Sequence, residues 1–435
     1  MKFYSTKNTK QFYPFQEVVF RGLAPDGGLF MPESIPVLPH SFFENIALFS
    51  FQEISFQVAH ALLADDLTEK EIQNIIEQAI NFDAPIVSVN GDNFSLELFH
   101  GPTLAFKDYG ARFMARLLSH FVQNLNRELT ILVATSGDTG SAVGNGFFDM
   151  PGIRVFILYP SQKISHIQEQ QLTTMGQNVT ALEIEGSFDD CQKLVKQAFV
   201  DTDLTQKMNL TSANSINIAR LIPQSFYYMH AYAQLADKTK PTIFSVPSGN
   251  FGDLTGGLIA KKMGLPVEKF IAATNINDVF PKYLQTGNYE PKAMRKTISN
   301  AMDVGAPSNF SRVMEIYGHH LDAVRKDIWS TSTTDDETRA TIKQVFNDFN
   351  YILDPHGAVG YLALERFRNE YSQPFNGIFL ETAHPAKFLD IIENVLQTPI
   401  PFPERLQKYM EKKKESTLLG TDFDKFKEYL FSAHE

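Results

Sequence analysis

The chain contains the stretch Thr242-Ile243-Phe244-Ser245-Val246-Pro247-Ser248-Gly249-Asn250-Phe251-Gly252-Asp253, in which a β-branched run leads into a glycine-rich turn. Helix-forming residues follow directly, from Leu254 to Met263. A strand that passes through such a turn into a helix is the repeating unit of a parallel sheet covered by helices. We therefore expect an α/β fold.

The same alternation of strand and helix recurs from about residue 95 to about residue 390. The predicted strands at 130–135 and 377–381 also end in polar turns, Ser136-Gly137-Asp138-Thr139-Gly140 and Thr382-Ala383-His384-Pro385. Further strands are predicted at 154–159 and 270–274. The span is long enough for two doubly wound open-sheet lobes. Ligands of such sheets bind beyond the carboxyl ends of the strands, so we expect the turns to surround a site.

Three regions are expected along the chain. Residues 1–90 form an N-terminal α/β subdomain that contains an amphipathic helix near 68–80. Residues 91–390 form the two lobes, the smaller of which spans approximately 100–210. Residues 391–435 form a C-terminal helical extension, in which Lys412-Lys413-Lys414-Glu415 is expected on a solvated helix face.

Composition excludes several classes of protein. The 435 residues are 43% hydrophobic, enough for a sizeable core, and 50 acidic against 39 basic residues give a net charge of −11. That charge argues against nucleic acid or an anionic membrane as a partner, because both bind basic surfaces. The first residues are polar, and no apolar run reaches the length of about 18 residues that a membrane helix needs. We expect a soluble, cytoplasmic protein.

No metal site is predicted. The single cysteine, Cys191, cannot form an internal disulfide or a zinc cluster, and its helical spacing from Leu194 and Val195 predicts a buried core thiol. His319 and His320 lie in a polar stretch and are expected to be exposed rather than metal-bound. The sequence also lacks the P-loop, dinucleotide-binding, nucleophile-elbow and zinc-protease motifs.

Two positive features remain. Successive N–H groups in the turn 248–252 can form an anion cradle at the positive end of a helix dipole, although one such loop alone is equally compatible with an ordinary tight turn. The second feature is Lys107, in His100-Gly101-Pro102-Thr103-Leu104-Ala105-Phe106-Lys107-Asp108-Tyr109-Gly110. An apolar frame near an anion site can lower the pKa of a lysine and make it nucleophilic toward a carbonyl. The alternative is an exposed lysine at a helix N terminus.

Taken in order along the chain, these segments resemble the threonine synthases, which are pyridoxal 5'-phosphate (PLP) enzymes of the tryptophan-synthase-β fold type, fold type II. Residues 100–108 are similar to the family's cofactor-lysine motif. Residues 22–30 resemble the N-terminal region of the longer, microbial and fungal form. The other similar segments are 134–141, 214–220, 248–253, 299–305 and 382–388, and the whole set extends in the right order from about residue 20 to about residue 390.

The resemblance implies roles for individual residues. Lys107 would hold PLP as a Schiff base, and the cofactor's phosphate would lie in the cradle formed by Gly249, Asn250, Phe251, Gly252 and Asp253. Thr382 would offer its hydroxyl to the pyridine nitrogen. Asp138 takes the position that meets the ring oxygen, but an ionised carboxylate would repel that oxygen, so Asp138 either binds PLP or points away. The Asp253 carboxylate is expected to cap its helix rather than face the anion.

The implied substrate is O-phospho-L-homoserine, which the family converts with water to L-threonine and phosphate in the last step of threonine biosynthesis. The substrate's phosphate needs a second anion site, for which Asn214, Ser215, Asn217 and Arg220 offer neutral donors and a guanidinium fork. Arg312 is a further candidate. Two alternatives stay open: a sister PLP lyase such as a hydroxy-amino-acid dehydratase, and a binding module without catalysis. A monomer or homodimer is expected.

Overall fold

The computed structural model describes residues 1–123 and 128–434. Its strands are β1 (Lys2–Ser5), β2 (Asn8–Pro14), β3 (Phe30–Pro32), β4 (Ile86–Asn90), β5 (Asn93–Glu97), β6 (Leu129–Ala134), β7 (Ile153–Pro160), β8 (Val179–Ile184), β9 (Asn209–Ser212), β10 (Thr242–Pro247), β11 (Lys269–Thr274), β12 (Ile328–Ser332), β13 (Asn376–Glu381) and β14 (Thr417–Leu419).

The α-helices are α1 (Phe15–Arg21), α2 (His40–Glu44), α3 (Phe51–Leu63), α4 (Glu69–Ala79), α5 (Lys107–Val122), α6 (Asp138–Phe147), α7 (His166–Thr173), α8 (Phe188–Val200), α9 (Thr202–Lys207), α10 (Ile218–Leu221), α11 (Gln224–Gln234), α12 (Gly252–Lys262), α13 (Val279–Thr286), α14 (Phe310–Ile316), α15 (Leu321–Asp327), α16 (Asp335–Phe349), α17 (Pro355–Glu370), α18 (Leu389–Leu396), α19 (Glu404–Met410) and α20 (Phe423–His434). Short 3₁₀ turns occupy Ile46–Leu48, Asn300–Met302 and Pro385–Phe388.

The described strands form three sheets. The largest has the order β12-β11-β10-β13-β5-β4 and is parallel except for β4, which is antiparallel to β5. The second has the order β14-β8-β7-β6-β9 and is entirely parallel. The third, β2-β1-β3, is antiparallel and belongs to the N-terminal region. The predicted α/β fold, with two open-sheet lobes and an N-terminal α/β subdomain, is confirmed.

The central strands are buried because helices cover both faces of each large sheet. Every residue of β6, β10 and β13 is buried, so these strands lack the alternation of buried and exposed residues that a sheet with one solvated face shows. The predicted strands at 130–135, 154–159, 270–274 and 377–381 correspond to β6, β7, β11 and β13. The helix predicted near 68–80 is α4, which begins at a capping box between Thr68 and Glu71.

The C-terminal region differs from its prediction. Residues 391–435 contain helices, but β14 adds an edge strand beside β8. The expectation that 412–415 lies on a solvated helix face is wrong, because this segment lies between α19 and β14. Lys414 instead forms ion pairs of 2.7 Å with both Glu169 and Glu183. The region boundaries at 90 and 390 stay predictions.

Smaller predictions agree with the structure. The Cys191 thiol is fully buried in α8, and burial raises its pKa to about 12, so it is an inert core group. His319 and His320 are exposed. Within the described residues, no helix is both long enough and apolar enough to cross a membrane.

Candidate active site

The predicted site residues lie where strands end and helices begin. Lys107 is the first residue of α5, Asp138 is the first residue of α6, and Gly252 is the first residue of α12. Thr382 directly follows β13. Helix N termini carry partial positive charge and unpaired N–H groups, so this edge of the fold favours anions.

Two backbone hydrogen bonds place Lys107 beside Thr382. The Phe106 N–H donates to the Thr382 carbonyl at 2.9 Å, and the His384 N–H donates to the Leu104 carbonyl at 3.1 Å. The loop before α5 and the segment after β13 therefore lie antiparallel, with Ala105 opposite Ala383. The Thr382 side chain is buried, and its hydroxyl bonds to no other residue that the structure describes.

The surroundings of Lys107 lower the pKa of its amine. Its Nζ lies over the Phe106 ring, 4.1 Å from the centroid. Burial, together with the nearby charge of Arg220, lowers the pKa of Lys107 to about 8, although the carboxylates of Asp253 and Asp138 oppose this shift. A lysine with this pKa exchanges protons readily near neutral pH.

The turn after β10 is an anion cradle. Among the described residues, the backbone N–H groups of 249–252 donate to no acceptor, and Phe251 is in the left-handed conformation with φ 57°. The Asn250 amide donates to Ser215 Oγ at 2.8 Å, and the Asn309 amide donates to the Asn250 carbonyl at 3.0 Å. Four successive free N–H groups at the start of α12 fit the phosphate of PLP.

The Asp253 carboxylate does not cap α12, so that expectation is wrong. Its Oδ1 accepts hydrogen bonds from the hydroxyls of Tyr227 at 2.6 Å and Tyr228 at 2.7 Å. The residue at the N-cap position is Phe251, which offers no side-chain hydrogen bond. Burial raises the pKa of Asp253 to about 6, against the effect of the two tyrosine hydroxyls. The hydrogen bonds of this carboxylate therefore connect α12 to α11.

Asp138 is held by two partners that the sequence did not reveal. The ammonium of the fully buried Lys387 lies 2.6 Å from Asp138 Oδ1, and the Gln168 amide donates to the same oxygen at 2.9 Å. Burial alone would raise the pKa of Asp138, but the Lys387 charge and the Gln168 hydrogen bond outweigh it and lower the pKa. The carboxylate is therefore ionised and its charge is compensated.

Arg220 is a buried cation with spare hydrogen-bonding capacity. It is 2% exposed, and its Nη1 donates to the Ala213 carbonyl. Neither Nε nor Nη2 has a partner among the described residues; Nε is completely buried against α5, whereas Nη2 is not closed off by protein. A Cβ at Gly110 would lie 3.0 Å from that Nε, so glycine allows α5 to pass this close. Burial lowers the pKa of Arg220 to about 10, which leaves it charged at neutral pH. An unpaired donor on a buried cation is suited to an anion.

The other three residues of the predicted second anion site take different positions. Ser215 lies against the cradle, as described above. The Asn214 amide donates to the Ala134 carbonyl at 2.8 Å, at the end of β6. Asn217 is fully buried, its amide donates to the Val19 carbonyl at 2.9 Å, and its Oδ1 accepts from the N–H of Ala219. Both asparagine side chains are thus engaged in holding the backbone.

Arg312 is not available to a ligand. Its guanidinium is fully buried and donates to the carbonyls of Phe30, Ser215 and Ile216 at 2.7–3.1 Å. It also donates to Asn309 Oδ1 at 2.7 Å. The idea that Arg312 binds substrate is therefore wrong, since this arginine joins the N-terminal sheet to the segments beside the cradle.

Comparison with known proteins decides the family. Residues 2–80 match the family described as threonine synthase N terminus, 90–375 match pyridoxal-phosphate dependent enzymes, and 357–430 match the C-terminal region of threonine synthase. A threonine synthase from Escherichia coli strain K12 is 42% identical over 429 residues, which cover 97% of each chain. The chain belongs to the threonine synthase family. It is a PLP-dependent lyase of amino-acid biosynthesis, as the sequence predicted.

Solved structures agree with this assignment. The crystal structure of threonine synthase from Escherichia coli superposes with a TM-score of 0.93 at 41% identity over 100% of both chains. The PLP-bound threonine synthase from Brucella melitensis gives a TM-score of 0.93 at 35% identity, covering 100% of this chain and 99% of that one. A tomato threonine deaminase, at 15% identity and a TM-score of 0.56, shares the fold alone. The comparisons do not support the dehydratase alternative.

Proposed function

We propose that this threonine synthase acts on O-phospho-L-homoserine and water at a site built around Lys107, and that it releases L-threonine and phosphate. The observation that supports this most strongly is the presence of two separate anion-binding features next to one lysine. These are the free N–H groups of 249–252 and the Nη2 group of Arg220, which has no partner among the described residues and is not closed off by protein. A phosphorylated substrate and a phosphorylated cofactor need one such feature each.

The residues present fit PLP. Lys107 would carry it covalently, the N–H groups of 249–252 would hold its phosphate, and the unpaired Thr382 hydroxyl would meet the ring nitrogen. When bound, PLP supplies an electron sink that stabilises negative charge at the substrate's α-carbon. A hydroxyl is a much weaker base than a carboxylate and does not stabilise a protonated ring nitrogen as a carboxylate would. The ring nitrogen is therefore expected to stay largely unprotonated.

Lys107 is the proton-transfer group of the proposed site. Once substrate has taken its place, its amine can remove the proton from the α-carbon and return protons in later steps. The pKa of about 8 leaves part of the amine neutral near pH 7, which a lysine of ordinary pKa does not provide. The antiparallel pairing of 104–106 with 382–384 keeps the base in place between steps.

Arg220 would hold the phosphate of the substrate as it leaves. The guanidinium stays protonated because its pKa of about 10 is far above neutral, so it stabilises the dianion that departs. Ser215 joins this region to the cofactor cradle, since its Oγ accepts from both Asn250 and Asn309. Asn214 and Asn217 act as positioning residues for the same segment.

Two assays test the proposal. Purified enzyme should release inorganic phosphate from O-phospho-L-homoserine and should not release a keto acid from threonine. Lys107→Ala should lower turnover by several orders of magnitude, whereas Lys413→Ala, at an exposed lysine outside the site, should leave it unchanged. Keto-acid release without phosphate release, or a Lys107→Ala enzyme of near-wild-type rate, would refute the proposal.

A cytoplasmic location and a monomeric or homodimeric state are proposed as well. The biosynthetic activity of the family supports the location. Sedimentation velocity at several protein concentrations measures the oligomeric state, and a larger assembly would contradict the proposal.

A further inference from the structure

Lys387 has no role in the assignments above, although it is paired with Asp138, one of the predicted cofactor residues. Its ammonium is fully buried, lies 2.6 Å from Asp138 Oδ1 and donates to the Thr103 carbonyl at 3.0 Å. A buried ion pair contributes little to stability, since apolar side chains of similar volume often replace one without loss. The place of this pair at the start of α6 therefore points to a function.

The two oxygens of Asp138 have different surroundings. Lys387 and Gln168 both contact Oδ1, whereas Oδ2 bonds to no other described residue and is not closed off by protein. Asp253, the other acid whose charge acts on Lys107, also has an unpaired Oδ2, but that atom is completely buried. Asp138 is thus the acid beside Lys107 that can offer a free oxygen to a ligand.

We propose that Lys387 is a positioning residue that holds Asp138 as a carboxylate whose Oδ2 accepts a hydrogen bond from the ring hydroxyl of PLP. The hydroxyl of PLP neighbours the carbon through which the cofactor attaches to lysine, so its partner has to lie beside Lys107. The Lys387 charge offsets the repulsion that an uncompensated carboxylate would exert on the ring oxygen. The inference rests on the proposed attachment of PLP to Lys107.

The Lys387 ammonium also connects Asp138 to residues 100–106, the segment that precedes Lys107. Thr103, whose carbonyl Lys387 contacts, lies four residues before Lys107, and the Gln171 amide donates to the same carbonyl at 3.2 Å. The charged or titratable groups that face Asp138 are Lys387, His356 and Lys107. Of these, Lys387 makes the direct ion pair.

Three variants test the proposal through the visible absorbance of bound PLP, recorded across pH, and through the melting temperature of the apoprotein. Protonation of the Asp138 carboxyl is expected to change the absorbance of bound PLP. Lys387→Met should move the pH midpoint of this change upward by at least about one unit, because the buried carboxylate loses its cation. Asp138→Asn should abolish that transition. The double variant should show the absorbance of Asp138→Asn, while its apoprotein melts closer to the wild type than Lys387→Met does.

The outcomes separate this role from a structural one. An Asp138→Asn enzyme with unchanged absorbance and pH profile would refute the contact with PLP. A Lys387→Met protein that melts earlier but keeps the wild-type midpoint would refute the role of Lys387. If Lys387→Met does not fold, Lys387→Arg keeps the charge and must keep the wild-type midpoint. Borohydride reduction and peptide mapping locate PLP: attachment to another lysine overturns the proposed function, whereas attachment to Lys107 with an unaltered Asp138→Asn spectrum overturns this inference alone.

Discussion

Replacing Arg220 by alanine should weaken the handling of the substrate's phosphate and leave the cofactor in place. Arg220 is 2% exposed, and its Nη2 has no partner among the described residues and is not closed off by protein, so an anion placed at Nη2 would meet a poorly solvated cation. Hydrogen bonds to a charged group contribute about 1.5–3 kcal/mol, which corresponds to a fall of roughly 10- to 150-fold in kcat/KM for O-phospho-L-homoserine.

The assay is steady-state phosphate release with and without added inorganic phosphate. Inorganic phosphate should inhibit the wild type competitively and the Arg220→Ala enzyme less. Arg220→Lys should recover only part of the loss, because an ammonium supplies charge but no planar fork. PLP content and absorbance should be unchanged, since we propose that the cofactor's phosphate lies in the separate turn at 249–252.

Arg312→Lys provides a matched control at a second buried arginine. Its donors already bond to the protein, so the variant should lower the melting temperature but change phosphate inhibition less than Arg220→Ala does. Unaltered kcat/KM together with unaltered phosphate inhibition in Arg220→Ala would refute the reasoning. Loss of bound PLP in that variant would show that the two phosphate sites have been assigned the wrong way round.

Three further outcomes are expected. The rate at which the apoprotein combines with PLP, measured by stopped flow, should rise with pH through a midpoint near 8, because neutral Lys107 reacts and burial lowers its pKa to about 8. A midpoint near the ordinary lysine pKa of about 10.4 would contradict this prediction. Gly249→Ala should lower PLP affinity at least about tenfold, because its Cβ would lie 2.7 Å from the Ala301 carbonyl, whereas Gly420→Ala, with nothing within 4 Å, should not change the titration. Asn217→Ala should lower the free energy of unfolding by about 1–3 kcal/mol in urea, because it removes a helix cap and the buried hydrogen bonds of the amide to the Val19 and Ser212 carbonyls, and it should lower kcat/KM less than Arg220→Ala does.

The fold could be predicted because its signals are local. An apolar β-branched run, a glycine turn and a helical pattern occupy neighbouring residues, as in 242–263, and their alternation implies parallel sheets whatever the distant contacts are. The capping box of α4 is equally local, since Thr68 and Glu71 are three residues apart. The position of Lys107 at a helix start, and the anion cradle at 248–252, follow from the same short-range rules.

The partners of the site's side chains could not be predicted in this way. Asp253 was expected to cap α12 and Arg312 to meet substrate, yet the first binds two tyrosines of α11 and the second binds backbone carbonyls as distant as Phe30. A carboxylate or guanidinium bonds to whatever group folding brings within reach, and the sequence order does not show which group that is. The position of Lys414 could not be predicted for the same reason, because its ion-pair partners, Glu183 and Glu169, lie on β8 and α7.

The amino-acid sequence by itself determined the α/β architecture and the family, and it predicted Lys107 and the turn at 248–252 as the cofactor site, because each of these signals lies in residues that are contiguous along the chain. Only the tertiary structure decided the charge state of the site. It brings Lys387 to Asp138, places Arg220 in a buried position with an unpaired donor, and lowers the pKa of Lys107 to about 8. Burial and the approach of distant charges set these properties, and both arise only when the chain folds.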